Sequence, residues 1–330
     1  MLRYICFLLA VPLLGACVTP GPTVSLIAEP TQRPAITIIK TDRDALGTIC
    51  RELGAASGKG IVLMYGIEAR QVGPYDLRNA DYGSIVRRLA ADADCEVLER
   101  PDYFFLHPPG YAQLGKLSLR GTLHARYQQS TAAVVFGAGT PLHQAFAILG
   151  QATETTIVAD NAIAAARTGE LALDTLSLDA ALEAILQSAR VPSDVFQLES
   201  TEEFIFIRST GNLHPETLLR LGDGLTRIPS SLERRVNLIL PDGAGDGSTS
   251  HVDTDARPLR SVLASLSEQL GMRVEIDHAL SQLPVNPVVM NNVRIRTAMD
   301  LLIRQWLRPD FVYEVTDTGL RIRADLPVGK

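Results

Sequence analysis

The chain is poor in aromatic residues, which make up 5% of its 330 positions, with a single tryptophan. It offers no platform of rings on which single-stranded bases would stack. Basic charge is not in excess either: 31 Lys and Arg stand against 37 Asp and Glu, a formal charge of −6. Without a positive footprint, nucleic acid is not an expected partner. Long apolar runs are missing as well. The N-terminal run from Ile5 to Leu14 contains Pro12 and reaches about half the length of a bilayer-spanning helix.

Catalytic and ligand signatures are equally scarce. The six histidines (107, 124, 143, 214, 251 and 278) are scattered, and no two stand at metal-ligand spacing. Asp242 to Gly247 has the start of a calcium loop, but Ala244 stands where the third ligand belongs and no glutamate follows at the twelfth position. Phe136-Gly-Ala-Gly139 lacks the third glycine of a dinucleotide turn. Neither a Gly-x-Ser-x-Gly elbow nor a phosphate loop is present. Glu202-Glu203 falls at a hairpin tip, where solvated charge is expected. No metal, no cofactor and no enzymatic activity are expected.

What is present begins with length, enough for two or three domains of about 100 residues each. Arg3, the short apolar run and Leu14-Gly15-Ala16-Cys17 form a secretory signal. Its last four residues resemble the bacterial lipobox. That resemblance implies cleavage between Ala16 and Cys17, and lipid on Cys17 as the membrane anchor. Val18 stands in place of the aspartate that marks inner-membrane retention, which favours an outer-membrane protein facing the periplasm over an inner-membrane one. Residues 18–34 are rich in Pro, Thr and Gly and read as a tether.

Self-similarity organises the remainder. With Leu46, Leu142 and Leu259 set level, apolar positions coincide without a gap for about 45 residues. Leu53, Leu149 and Leu266 match, as do Ile61, Ile157 and Val274, then Leu89, Ile185 and Leu302. Each copy reads as strand, helix, strand, strand, helix and hairpin, the first strands being Ile36 to Ile39, Ala133 to Phe136 and Thr249 to Asp253. The expected fold is α+β: three tandem modules, each a short mixed sheet packed on one face by two helices. They span 35–110, 132–210 and 249–326, with connectors at 111–131 and 211–248. Leu117 to Leu123 and Val236 to Leu240 in those connectors are candidates for added strands.

The phrases Leu173 to Leu186 and Gln269 to Asp277, with Ala45-Leu46, Gly58 and Ile61-Val62, resemble the short domain shared by secretins and the N-termini of TonB-dependent receptors. The resemblance covers nearly all of the chain after the tether, and no segment corresponds to a secretin's membrane barrel. It implies protein partners in a secretin-type secretion or pilus machine, and homo-oligomeric rings. A single periplasmic signalling module, docking on an inner-membrane regulator, is the alternative. Arg87, Arg88, Arg296 and Arg304 on the second helices are candidate exposed contacts. Cys50 and Cys95, both at apolar positions of the first copy, are either joined in a disulfide or buried as free thiols.

Overall fold

Period-two and three-and-four spacings of apolar residues produce short strands and helices in three passages of similar order. The computed structural model describes residues 36–57, 59–214, 217–240 and 256–325. The first passage runs through β1 (Ile36–Lys40), β2 (Asp44–Ala45), α1 (Leu46–Ser57), β3 (Gly60–Leu63), β4 (Gln71–Val72), β5 (Tyr75–Ala80), α2 (Tyr82–Asp92), β6 (Glu96–Glu99) and β7 (Tyr103–His107). The second comprises β8 (Thr131–Phe136), α3 (Leu142–Ala152), β9 (Thr156–Ala159), the single-turn α4 (Asn161–Ala164), β10 (Leu171–Ser177), α5 (Leu178–Ser188), β11 (Phe196–Ser200) and β12 (Phe204–Ser209). After β13 (Leu219–Leu221) come β14 (Arg235–Leu240), β15 (Arg257–Pro258), α6 (Leu259–Leu270), β16 (Arg273–Ile276), β17 (Pro284–Val285), β18 (Val288–Arg294), α7 (Ile295–Arg304), β19 (Phe311–Val315) and β20 (Gly319–Ala324). The architecture is α+β, with several small sheets.

Pairing recurs along with order. β1, β8 and β14 lie antiparallel to β5, β10 and β18, and each ladder carries a register shift at the matching place. At that shift Asn79 and Asn292 take left-handed φ of 51° and 52°, a region asparagine tolerates better than most residues. The facing strand supplies a side-chain acceptor to each: Thr37 Oγ1 takes the Asn79 amide and Asn237 Oδ1 the Asn292 amide. β3, β9 and β16 run parallel to β7, β12 and β20, the last strand of each hairpin. Local capping fits the same plan. Asp81 accepts the Ser84 amide at the start of α2, and Gly271 closes α6 with a left-handed φ of 60°.

Three sequence expectations change. The strand that pairs with β18 as β8 pairs with β10 is β14, inside the expected connector; Thr249 to Asp253 lie outside the described residues. Leu117 to Leu123 form no strand but pack beneath α5, because three leucines there have more apolar surface to bury than a ladder at the sheet edge would cover. The second hairpin, expected from its sequence as Asp194 to Leu198 with Phe204 to Ile207, begins at Phe196.

Two cores form rather than three. The first two passages share one cluster, from Ile38 to Ile207. The third has its own, and it takes in Val158, Phe204 and Phe206 from the second. The cause lies at the junctions. β10 adds to the edge of β3, with Leu171 opposite Val62 and Ala172 opposite Ile61, so that β6-β7-β3-β10-β8 is one five-stranded sheet. A Cβ on Gly60 would lie 2.7 Å from the Ala172 carbonyl oxygen, so that close approach requires glycine. At the second junction β18 lies beside β9 without a backbone ladder: Asn291 donates its amide to Thr156 Oγ1 (2.8 Å) and its Nδ2 to the Gly150 carbonyl (3.3 Å). β16, the counterpart of β3 and β9, is an edge strand bearing an exposed Arg273–Glu275 pair at 2.7 Å. On β14 the exposed Ile239 has both backbone groups engaged by the Gln269 side-chain amide, at 2.8 and 3.0 Å.

A candidate interaction cleft on the last helix

The helices α5 and α7 occupy matching places, and each faces the hairpin of the preceding passage. Their sequences give each a buried apolar face; the outward stripe is Asp179, Glu183 and Gln187 on α5, and Arg296, Asp300 and Arg304 on α7. Residues four apart stand one above another, so each stripe faces one neighbouring surface.

On α5 that surface is covered by the first connector. Leu114, Leu117, Leu119, Leu123 and Tyr127 are 5% exposed or less. Glu183, 1% exposed, accepts from the Tyr103 hydroxyl (3.0 Å) and the Leu119 amide (3.0 Å), and pairs with Arg100 at 3.3 Å. Gln187 donates to the Leu114 carbonyl at 3.2 Å, and Asp179 accepts the Gly121 amide at 2.9 Å. The hydroxyl of Tyr103, buried beside this carboxylate, is pushed upward by desolvation and by Glu183. A buried carboxylate with a full set of donors is a stable arrangement.

On α7 the same surface is open. A cleft of about 600 Å³ separates the helix from β11 and β12, walled by Gln197, Glu199, Phe204 and Arg208 opposite Arg296, Asp300 and Arg304. Arg304 bonds Glu199 at 2.5 Å and lies 4.7 Å over the Phe206 ring. Asp300 Oδ1 is closed off from water with no hydrogen-bond partner. Burial raises its carboxyl to about 6, against the opposing pull of the Tyr313 hydroxyl, Arg304 and Arg296. At one end of the cleft Glu203, 3% exposed, binds Arg235 at 3.0 Å and Arg294 at 2.9 Å and accepts the Thr297 hydroxyl at 2.7 Å.

Of the four arginines singled out in the sequence, Arg87 and Arg88 are exposed, at 59% and 66%, and are paired with Glu99 and Asp92. Arg296 is half-covered beside Glu233, and Arg304, at 18%, is a wall of the cleft rather than a solvated contact. Glu203 likewise overturns the expectation of a solvated hairpin tip, since Arg235 and Arg294 come from distant parts of the chain to meet it. Cys50 and Cys95 are free thiols. Cys50 is buried and its thiol is raised by desolvation and by the neighbouring Cys95, which makes it inert toward thiolate chemistry. Ala16 and Cys17 lie outside the described residues. Among the described residues no cluster of three or more metal-ligating side chains occurs, and no helix is long and apolar enough to cross a membrane. Asp300 was not singled out in the sequence; its alignment with Glu183 was the available signal.

Compared with known proteins, the chain matches no family model, no curated protein and no solved structure.

Proposed function

We propose that this chain is a lipid-anchored scaffold or accessory protein of a secretin-type secretion or pilus machine, held at the outer membrane through Cys17 and acting by protein–protein contact in the periplasm. The observation that carries the reading is one antiparallel pairing scheme that recurs in all three passages with a register shift at the matching place, with a left-handed asparagine at that shift in the first and third. Repeated units of this kind present faces and grooves along an array, which suits binding and assembly. The open cleft on α7, lined by side chains able to give and accept hydrogen bonds, adds support.

The test is capture of envelope proteins by the full chain expressed in its own cells, with Cys17→Ala as control. Retention in the outer-membrane fraction, its loss in Cys17→Ala, and co-purification of a secretin are the expected results. A protein that fractionates identically with and without Cys17, and brings down no secretin, overturns the reading.

A further inference from the structure

We propose that the cleft on α7 receives an extended, leucine-bearing segment of a partner protein with an acidic flank, bound in the way that α5 holds the chain's own residues 114–121. The inference deepens the scaffold reading and rests on it.

The template lies in the same molecule. On α5, Glu183 accepts a backbone N–H, Gln187 donates to a backbone C=O, and leucines 114, 117 and 119 fill the space against the β6–β7 hairpin. α5 begins at Leu178 and α7 at Ile295, so Glu183 corresponds to Asp300 and Gln187 to Arg304. An acceptor therefore stands where an acceptor stood, and a donor where a donor stood. A polypeptide backbone running across α7 meets the same hydrogen-bonding polarity that it meets on α5.

Among the described residues no segment covers this surface. After β12 the chain reaches β13, which pairs with β19 on another sheet, and among the described residues of the second connector Leu218 alone lines the cleft. The walls differ from the template in one respect. Asp179 becomes Arg296, and Arg208 stands on the hairpin strand opposite, so the rim is more basic than that around α5. This favours acidic residues beside the leucines.

The probe is a phage-displayed library of random twelve-residue peptides, panned against the full chain lacking only residues 1–17. Enriched peptides are expected to carry leucines at alternating positions, as in Leu117 and Leu119, next to Asp or Glu. Their affinity, measured by fluorescence polarisation, should fall at least tenfold in Asp300→Ala and in Arg304→Ala, and be unchanged in Arg88→Ala. Arg208→Glu, on the rim and outside the cores, repeats the test if either cleft variant folds poorly. No enrichment, or peptides whose affinity ignores Asp300, Arg304 and Arg208 alike, overturns the inference. So does self-association abolished by these substitutions, which assigns the cleft to a second copy, or displacement of peptide by millimolar sulfate, which assigns it to a small anion. A secretin captured equally by wild type and Arg304→Ala removes the cleft proposal and spares the scaffold reading. Peptide binding as described, with no secretin captured, does the reverse.

Discussion

The two junctions of this chain solve one problem in different ways. At the first, β10 continues the sheet of β3, glycine permits close contact, and the connector seals the face of α5. At the second, the backbone amide of Asn291 on β18 bonds the Thr156 hydroxyl on β9, Val158, Phe204 and Phe206 join the third core, and among the described residues nothing covers the face of α7. Backbone ladders and buried leucines make a joint that resists opening, because every broken contact exposes apolar surface and unpaired amides. A joint of side-chain hydrogen bonds and arginine–carboxylate pairs gives up less on opening. The first junction is therefore the harder to open, and the cleft proposal rests on the second.

The sharpest way to break this comparison is to remove matching carboxylates. Glu183→Ala leaves Arg100, Tyr103 and the Leu119 amide without their acceptor. It should cost about 4 kcal/mol by urea denaturation, whereas Asp300→Ala, already short of partners, should cost about 1 kcal/mol or less. Equal costs would erase the distinction. Next in size is Gly60→Val, whose Cβ would sit 2.3 Å from Leu173 Cδ2 and force β3 and β10 apart. A loss of about 3 kcal/mol is expected, against about 1 kcal/mol for Thr156→Val at the second junction.

Smaller still is a pH effect. The carboxyl of Asp300 sits at about 6, above its ordinary value of 3.8. Because the folded form holds the proton more tightly than the unfolded chain, its contribution is fully present below about pH 4 and is lost as pH rises through 6. Asp300→Asn should remove that pH dependence and stabilise the protein at pH 7.5 by about 1–2 kcal/mol. A midpoint that rises between pH 4 and 7 at the same rate in both proteins would contradict it. The smallest effect is expected from Arg88→Ala on α2, within about 0.5 kcal/mol, since its pairing with Asp92 is solvated.

The elements themselves were legible in the sequence because their signals are local. Apolar spacing marks α6 from Leu259 to Leu270, and alternation marks β12 and β20. The strand that pairs with β18 did not stand out in the sequence because residues 241–255 come between β14 and α6, and the matched apolar positions begin only at Leu259. The junctions were not legible. Whether β10 adds to β3 depends on a glycine whose role appears only when another strand arrives from more than 100 residues away. Glu203 shows the same limit: beside Glu202 it reads as solvated charge, and only the fold brings Arg235 and Arg294 to it. Of the candidate cleft, Arg296 and Arg304 were visible as outward positions on a helix, but the absence of a covering segment was not.

One small feature reaches beyond the single molecule. Ile239 is 43% exposed on an outer strand, a profile that ordinarily invites another chain to stack alongside. The Gln269 amide already occupies the backbone hydrogen-bonding positions a newcomer would use. The edge is thus greasy to the touch but chemically mute, and one glutamine side chain keeps it so. Replacing Gln269 with alanine, the residue at the corresponding points of α1 and α3, would restore its voice.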